Sequence, residues 1–328
     1  MSAFTTTFFK NRPDLGAIVG TVLVFVVFTL INFHGWWSVF TFKSIMQFTA
    51  ILAIVALGQA LVILCKEIDL SVGSVYGVTA VAFITFEDSL GIVGSFIASL
   101  AIAAAIGWIN AQLVLRARLV SMIVTLSGLF LYRGVIYVWT GGTVNSLSAD
   151  GREHWLTLTF GGNLFGFENA VLWVLLLLIV GQITLTRTRF GNHLLAVGGD
   201  EPSAHSRGVD VRQVKTTAFV ACSTLAGFAG IITICDQPQT HVTLGMLREL
   251  ESIAAAVIGG CLLTGGRGSL IGPALGAFII TSVRFELIAL GAPSSWFITF
   301  VGILLIVAVV ANRWISDTLA GMSWEESQ

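Results

Sequence analysis

Two acids stand in an unusual place. Glu67 and Asp69 follow the apolar stretch 44–65 and precede Ser71, Gly73, Ser74 and Gly77. Carboxylates, hydroxyls and helix-breaking glycines together can line a polar route through an apolar body. Irregular backbone at membrane depth persists only where it is buried in protein or faces water, and acids there mark pathways. The candidate pathway or gate residues in this stretch are Glu67, Asp69, Ser71 and Gly73. A plainer task suits some of them equally: Asp69 and Ser71 could cap the next helix. Further charges, Arg133, Arg284 and Glu286, lie inside apolar stretches. A charge at a helix centre in lipid costs about 2.5–3.5 kcal/mol, so each needs a partner or a water-filled route. Arg284 and Glu286 are separated by about 200° around a helix, so they do not pair with one another. They join the pathway candidates, with interhelical ion pairing as the alternative. Arg248 and Glu251, three positions apart, suit a surface pair at the outer end of a helix.

Chemistry of reaction is missing from the same inventory. Gly265-Gly266-Arg267-Gly268 resembles a phosphate loop only superficially, since GxxxxGK[ST] occurs nowhere in the chain. A tight turn and close helix packing explain these glycines better. Neither HExxH nor GxSxG is present, and the five His are scattered at 34, 154, 193, 205 and 241. Cys65, Cys222, Cys235 and Cys261 sit in or beside apolar runs without a CxxC pair, as small buried hydrophobes do. No catalytic residue, metal or cofactor is expected, and the chain has no P-loop of its own through which to bind ATP.

The elements that position these residues follow from composition. Of 328 residues, 55% are hydrophobic and 11% charged, and the mean hydropathy is +0.90. So few charges exclude a soluble enzyme and a disordered chain, and a net charge of −1 excludes a basic nucleic-acid surface. With about 20 apolar residues needed per span, ten stretches qualify: 14–34, 44–65, 70–86, 91–113, 119–139, 169–185, 216–235, 251–264, 269–290 and 296–312. The third and eighth are short and interrupted by Gly and Ser. The predicted fold is an all-α polytopic membrane protein with about ten transmembrane helices in a single domain over 1–328. The first run is read as a retained span rather than a signal peptide, with Trp36 and Trp37 at the headgroup level.

With the N-terminus inside, all of the 17 Lys and Arg fall inside except Lys43, Arg152 and Arg248 outside and Arg133 and Arg284 within spans. The positive-inside rule therefore predicts cytoplasmic tails at 1–13 and 313–328 and a cytoplasmic connection at 186–215. An outer connection, about 140–168, carries few charges. Gly73-Ser74-Val75-Tyr76-Gly77 parallels Gly268-Ser269-Leu270-Ile271-Gly272, a pattern that in corresponding halves points to a transport site.

Within 186–215, Gly198-Gly199 allows a turn, Asp200 is a good N-cap, Pro202 fits a first turn and Gly208 a left-handed C-terminus. The prediction is a helix of about two turns over 200–207. Alone in water it would be marginal, so it must pack against the membrane domain or dock into a separate cytoplasmic protein.

This connection resembles the cytoplasmic loop of ABC-importer permeases of the ribose/monosaccharide family. Gly191, Gly198, Gly199, Glu201, Ala204 and Gly208 match its pattern, while Pro202, His205 and Arg207 depart from it. Residues 66–74, KEIDLSVGS, resemble the family's GEIDLSVGS with Lys66 in place of Gly. Residues 259–277 and the tail 302–309 fit as well, whereas Arg284-Phe285-Glu286 departs from the pattern. The resemblance, over about 45–312, implies a bacterial inner-membrane permease subunit for a monosaccharide or related polyol. It implies three kinds of partner: an ATP-binding subunit, a periplasmic sugar-binding protein, and a second permease copy as homodimer or close heterodimer. It also makes 200–207 a coupling helix, with Asp200, Glu201, Pro202, Ser203, Ala204, His205, Arg207 and Gly208 at the ATPase-subunit interface. A branched-chain amino-acid ABC permease is the related alternative, and an ion-coupled secondary carrier is the alternative from another class.

Overall fold

The computed structural model describes residues 14–310 apart from 165, 294 and 308. The tails 1–13 and 313–328 lie outside the described residues. Helices dominate: α1 (Leu15–Ile31), α2 (Phe33–Trp36), α3 (Val39–Leu64), α4 (Val72–Thr85), α5 (Glu87–Leu115), α6 (Ser121–Thr140), α7 (Ala149–Glu153), α8 (Trp155–Gly161), α9 (Asn169–Arg187), α10 (Arg189–Gly199), α11 (Glu201–Ser206), α12 (Val211–Asp236), α13 (Arg248–Ile258), α14 (Ile271–Ala289) and α15 (Ser295–Val307). Four two-residue strands pair antiparallel, β1 (Asn145–Ser146) with β4 (Gln239–Thr240) and β2 (Asn163–Leu164) with β3 (Phe167–Glu168).

Every predicted span has a helix, but they are unequal. Helices α3, α5, α6, α9, α12 and α14 are long and apolar enough to cross a bilayer. By contrast, α4 has 14 residues, about 21 Å of rise, against a hydrocarbon core of about 30 Å. The eighth stretch shrinks further, to the 11 residues of α13, about 16 Å. Three left-handed glycines from Gly260 to Gly266 then hold a turn that runs on to α14. The predicted eighth span is therefore a half-length helix, because its polar first turn and glycine-rich end leave too little apolar helix to span.

The core is built around α3 and α12. Their apolar windows are 83% and 72% buried, against 22% for α9. Small residues allow the contact: a methyl group on Gly58 would press on the Cys222 backbone, and one on Gly107 on Phe219 and Ser223. The outward faces of α1, α5, α6, α9 and α15 carry exposed Val, Leu, Ile, Phe and Trp, as a lipid-facing belt requires. All four cysteines are buried.

Two smaller expectations change, and one connection gains detail. Trp36 is buried against Phe25 and Phe28, and only Trp37 stays exposed. Gly198-Gly199 closes helix α10 rather than forming a turn. There is no room for a side chain at Gly198, whose methyl would collide with the Leu64 carbonyl. The connection 140–168 is partly ordered by α7, α8 and the short strands.

Candidate docking and translocation site

The break after α3 opens the site. Lys66 adopts a left-handed conformation, φ 69°. Its N–H donates to the Ile63 carbonyl (2.9 Å) and that of Glu67 to the Val62 carbonyl (3.0 Å), which closes the last turn of α3 as a Schellman motif. The chain then runs irregularly to α4. Asp69 and Ser71 are fully buried. The Ser71 N–H (2.8 Å) and hydroxyl (2.6 Å) both donate to Asp69 Oδ1. Asn110 on α5 donates to the Ser71 hydroxyl at 2.9 Å, and the Tyr132 hydroxyl on α6 donates to Asn110 at 3.0 Å. The Gln59 amide, oriented to satisfy both groups, donates to the Asp69 carbonyl and accepts from its N–H. Asp69 therefore organises a buried polar strip joining α3, α5 and α6 to the start of α4. It is more than a cap.

Deeper in, two helix starts face each other. Residues 241–247 leave β4 and turn irregularly, with Leu247 left-handed at φ 67°, before α13 begins. The first turn of α4 packs on this turn so closely that a methyl on Gly73 would collide with the Glu249 carboxylate and the Gly245 carbonyl. Glu249, in the first turn of α13, thus faces the positive ends of both half-length helices. Arg133 reaches in from α6 and donates to the carbonyls of Val242 (3.1 Å), Leu244 (2.7 Å) and Gly73 (3.3 Å). Its hydrogen bonds go to backbone oxygens, two in the irregular turn at 241–247 and one in the first turn of α4.

The remaining internal charges pair across helices. Glu251 is buried and accepts from Arg248 at 2.9 Å and from Arg284 of α14. The expected surface pair of Arg248 and Glu251 is thus an interior one. Arg284 also lies 3.8 Å from the Phe297 ring centroid of α15, a cation–π contact. Glu286 is buried and accepts from Asn32 at 3.1 Å. Arg284 and Glu286 do not meet each other, as their spacing requires.

At the cation-rich end, α11 begins at Glu201 after Asp200 and carries Pro202 in its first turn. It closes on Gly208 at φ 85°, with the Val209 N–H bonded to the Ala204 carbonyl at 3.1 Å. Asp200 caps less directly than expected, since its carboxylate takes the Ser203 hydroxyl. Asp200, Glu201, Pro202, Ser203, His205, Arg207 and Gly208 are exposed, and only Ala204 is buried. One side chain ties this helix inward. Lys215, near the start of α12, is buried and pairs with Glu201 at 2.8 Å and with Glu67 at 2.7 Å.

The structure gathers most sequence candidates into three places, Glu67, Asp69 and Ser71 in the break, Gly73 with Arg133 at the helix junction, and 200–208 on the surface, and leaves Arg284 with Glu251 and Glu286 with Asn32 as separate contacts of α14. Lys215, Glu249, Asn110 and Gln59 were missed. Asn110 and Gln59 had a signal, as amides inside apolar runs. Lys215 had none, because its partners are 148 and 14 positions away.

Comparison with known proteins gives a consistent answer. The family described as branched-chain amino acid transport system / permease component matches residues 41–309. The autoinducer 2 import system permease protein LsrC of Enterobacter sp. (strain 638) is 34% identical over 315 residues, 95% of this chain and 90% of that protein. The ribose import permease protein RbsC of Escherichia coli (strain K12) is 33% identical over 314 residues, 94% of this chain and 96% of that protein. No solved structure matches the chain significantly.

Proposed function

We propose that this chain, which belongs to the branched-chain amino acid transport system / permease component family, is the membrane-spanning subunit of an ATP-driven importer for a monosaccharide or related polyol. One observation carries the reading: a short helix, α11, stands exposed at the cation-rich end of a helical membrane body and buries only Ala204. Such a helix suits insertion into a cleft on a separate ATP-binding subunit. The positive-inside rule favours a cytoplasmic setting for that end and for both chain termini in a bacterial inner-membrane protein. The ribose permease named above and the strip Glu67–Ser74 favour a sugar over a branched-chain amino acid.

On this reading, closure of the ATP-binding subunits moves α11, and the helices alternate between inward and outward access. A periplasmic binding protein delivers the cargo and sets most of the specificity. Glu67, Asp69, Ser71, Gly73, Arg284 and Glu286 belong to the route or its gate. Asp69, Ser71, Gly73 and Glu286 are buried within the chain, so on this reading they shape the route from inside its wall. A second copy completes the pathway. The irregular turn at 241–247 exposes Thr243 and Met246, and lipid cannot satisfy such backbone, whereas a partner subunit or enclosed water can.

Uptake into proteoliposomes tests the proposal. Transport should require ATP, the ATP-binding subunit and the binding protein. Uptake driven by an ion gradient with the chain alone would sink it. Retention of the ATP-binding subunit by a variant with Glu201, Pro202 and Arg207 replaced by Ala would sink the docking role of α11.

A further inference from the structure

Three groups on three segments meet at the cation-rich end. Lys215 Nζ lies 2.7 Å from Glu67 Oε1 and 2.8 Å from Glu201 Oε2. Glu201 belongs to α11, Lys215 to α12, and Glu67 to the break between α3 and α4. Their exposures are graded: the side chains of Lys215 and Glu67 are 7% and 13% exposed, and that of Glu201 is 48% exposed. The ammonium therefore sits inside the protein and reaches outward to the surface helix with one contact and inward to the break with the other.

We propose that Lys215 is a positioning residue that transmits displacement of α11 to the gate strip 67–71. The inference rests on the docking role of α11 and adds the side chain through which docking is felt inside.

Two features of the structure support a transmitting role. First, the inner partner leads somewhere. Glu67 is two residues from Asp69, whose carboxylate holds Ser71, which holds Asn110 and through it Tyr132. A shift at Glu67 therefore pulls on groups of α5 and α6. Second, one ammonium is shared by two carboxylates. Moving Glu201 away leaves Lys215 with Glu67 alone, and moving it closer draws the ammonium outward, so the position of α11 sets the pull on the break. Such pairs are strong because Lys215 and Glu67 are largely out of water. The glycine contact of α10 with the end of α3 supplies a nearby pivot: Gly198 lies against the Leu64 carbonyl, which also accepts from the Gly266 N–H at 3.0 Å.

The test uses the full importer in proteoliposomes with its ATP-binding subunit and binding protein, and reads cargo moved per ATP hydrolysed. Lys215→Met should lower that ratio by about tenfold, the size of ordinary coupling between sites. The ATP-binding subunit should still copurify, and Lys215→Arg should restore most of the ratio. Glu67→Gln cuts the link on its inner side and should give the same uncoupling. A ratio within about twofold of wild type in either Lys215→Met or Glu67→Gln overturns the proposal; if Lys215→Met fails to assemble, Glu67→Gln alone decides it. Loss of the ATP-binding subunit from α11 variants bears on docking. A changed ratio with the subunit still bound bears on the link, so the two failures are distinguishable.

Discussion

The helix junction deep in the body and the lever at the cation-rich end solve the same problem in opposite ways. Both must hold irregular chain beside buried charge. At the junction, Arg133 spends its donors on three backbone oxygens and Glu251 holds two guanidinium groups, so the irregular turn and the first turn of α13 are fixed from several sides. At the lever, a single ammonium links three segments, and the surface helix beyond it buries one alanine. The contrast teaches where rigidity is needed. Chain inside lipid must satisfy its own polar groups. A helix that receives a partner gains by leaving its face open.

Substitutions can break or sharpen this contrast. The largest effect should come from Glu251→Leu, which leaves Arg248 and Arg284 without their buried acid and should cost about 3–5 kcal/mol. Unfolding in detergent would register it as a large loss of thermal stability. Arg133→Met should follow at about 3 kcal/mol, since three backbone carbonyls lose a charged donor. Gly73→Ala should cost about 1–3 kcal/mol by overpacking against Glu249 and Gly245, and should reduce transport as well. Lys66→Gly should act in the other direction and add up to about 1 kcal/mol, because glycine accepts the left-handed φ without strain. Smallest of all, His205→Ala on the open face of α11 should change stability by less than about 0.5 kcal/mol. If it destabilised the isolated chain as much as Gly73→Ala, the lever would be packed rather than open, and the contrast would fail.

How much of this was legible in the sequence follows from the range of each interaction. Local signals worked. Pro202 and Gly208 bounded α11 within a residue or two, and each of the ten apolar stretches falls on a helix. The left-handed conformation of Lys66, where the resembled pattern has Gly, emerged only with the structure. Long-range signals failed. The match between 73–77 and 268–272 puts both stretches at helix starts, 73–77 in the first turns of α4 and 268–272 at the entry to α14, but it carried no information on what either start packs against. Arg133 could be recognised as needing a partner, but backbone carbonyls leave no residue type to search for. The length of α13 was overestimated because apolar residues near the glycines look like helix when only hydropathy is counted.

The half-length helix α13 also constrains how the protein is made. With Arg248, Glu249 and Glu251 in one short segment, it cannot partition into lipid by itself, since each charge costs about 2.5–3.5 kcal/mol at depth. Its Glu251 pairs across helices with Arg284 of α14, which is synthesised after it. During biogenesis this stretch therefore has to wait, shielded or still outside the bilayer, until the following segment emerges and draws it in.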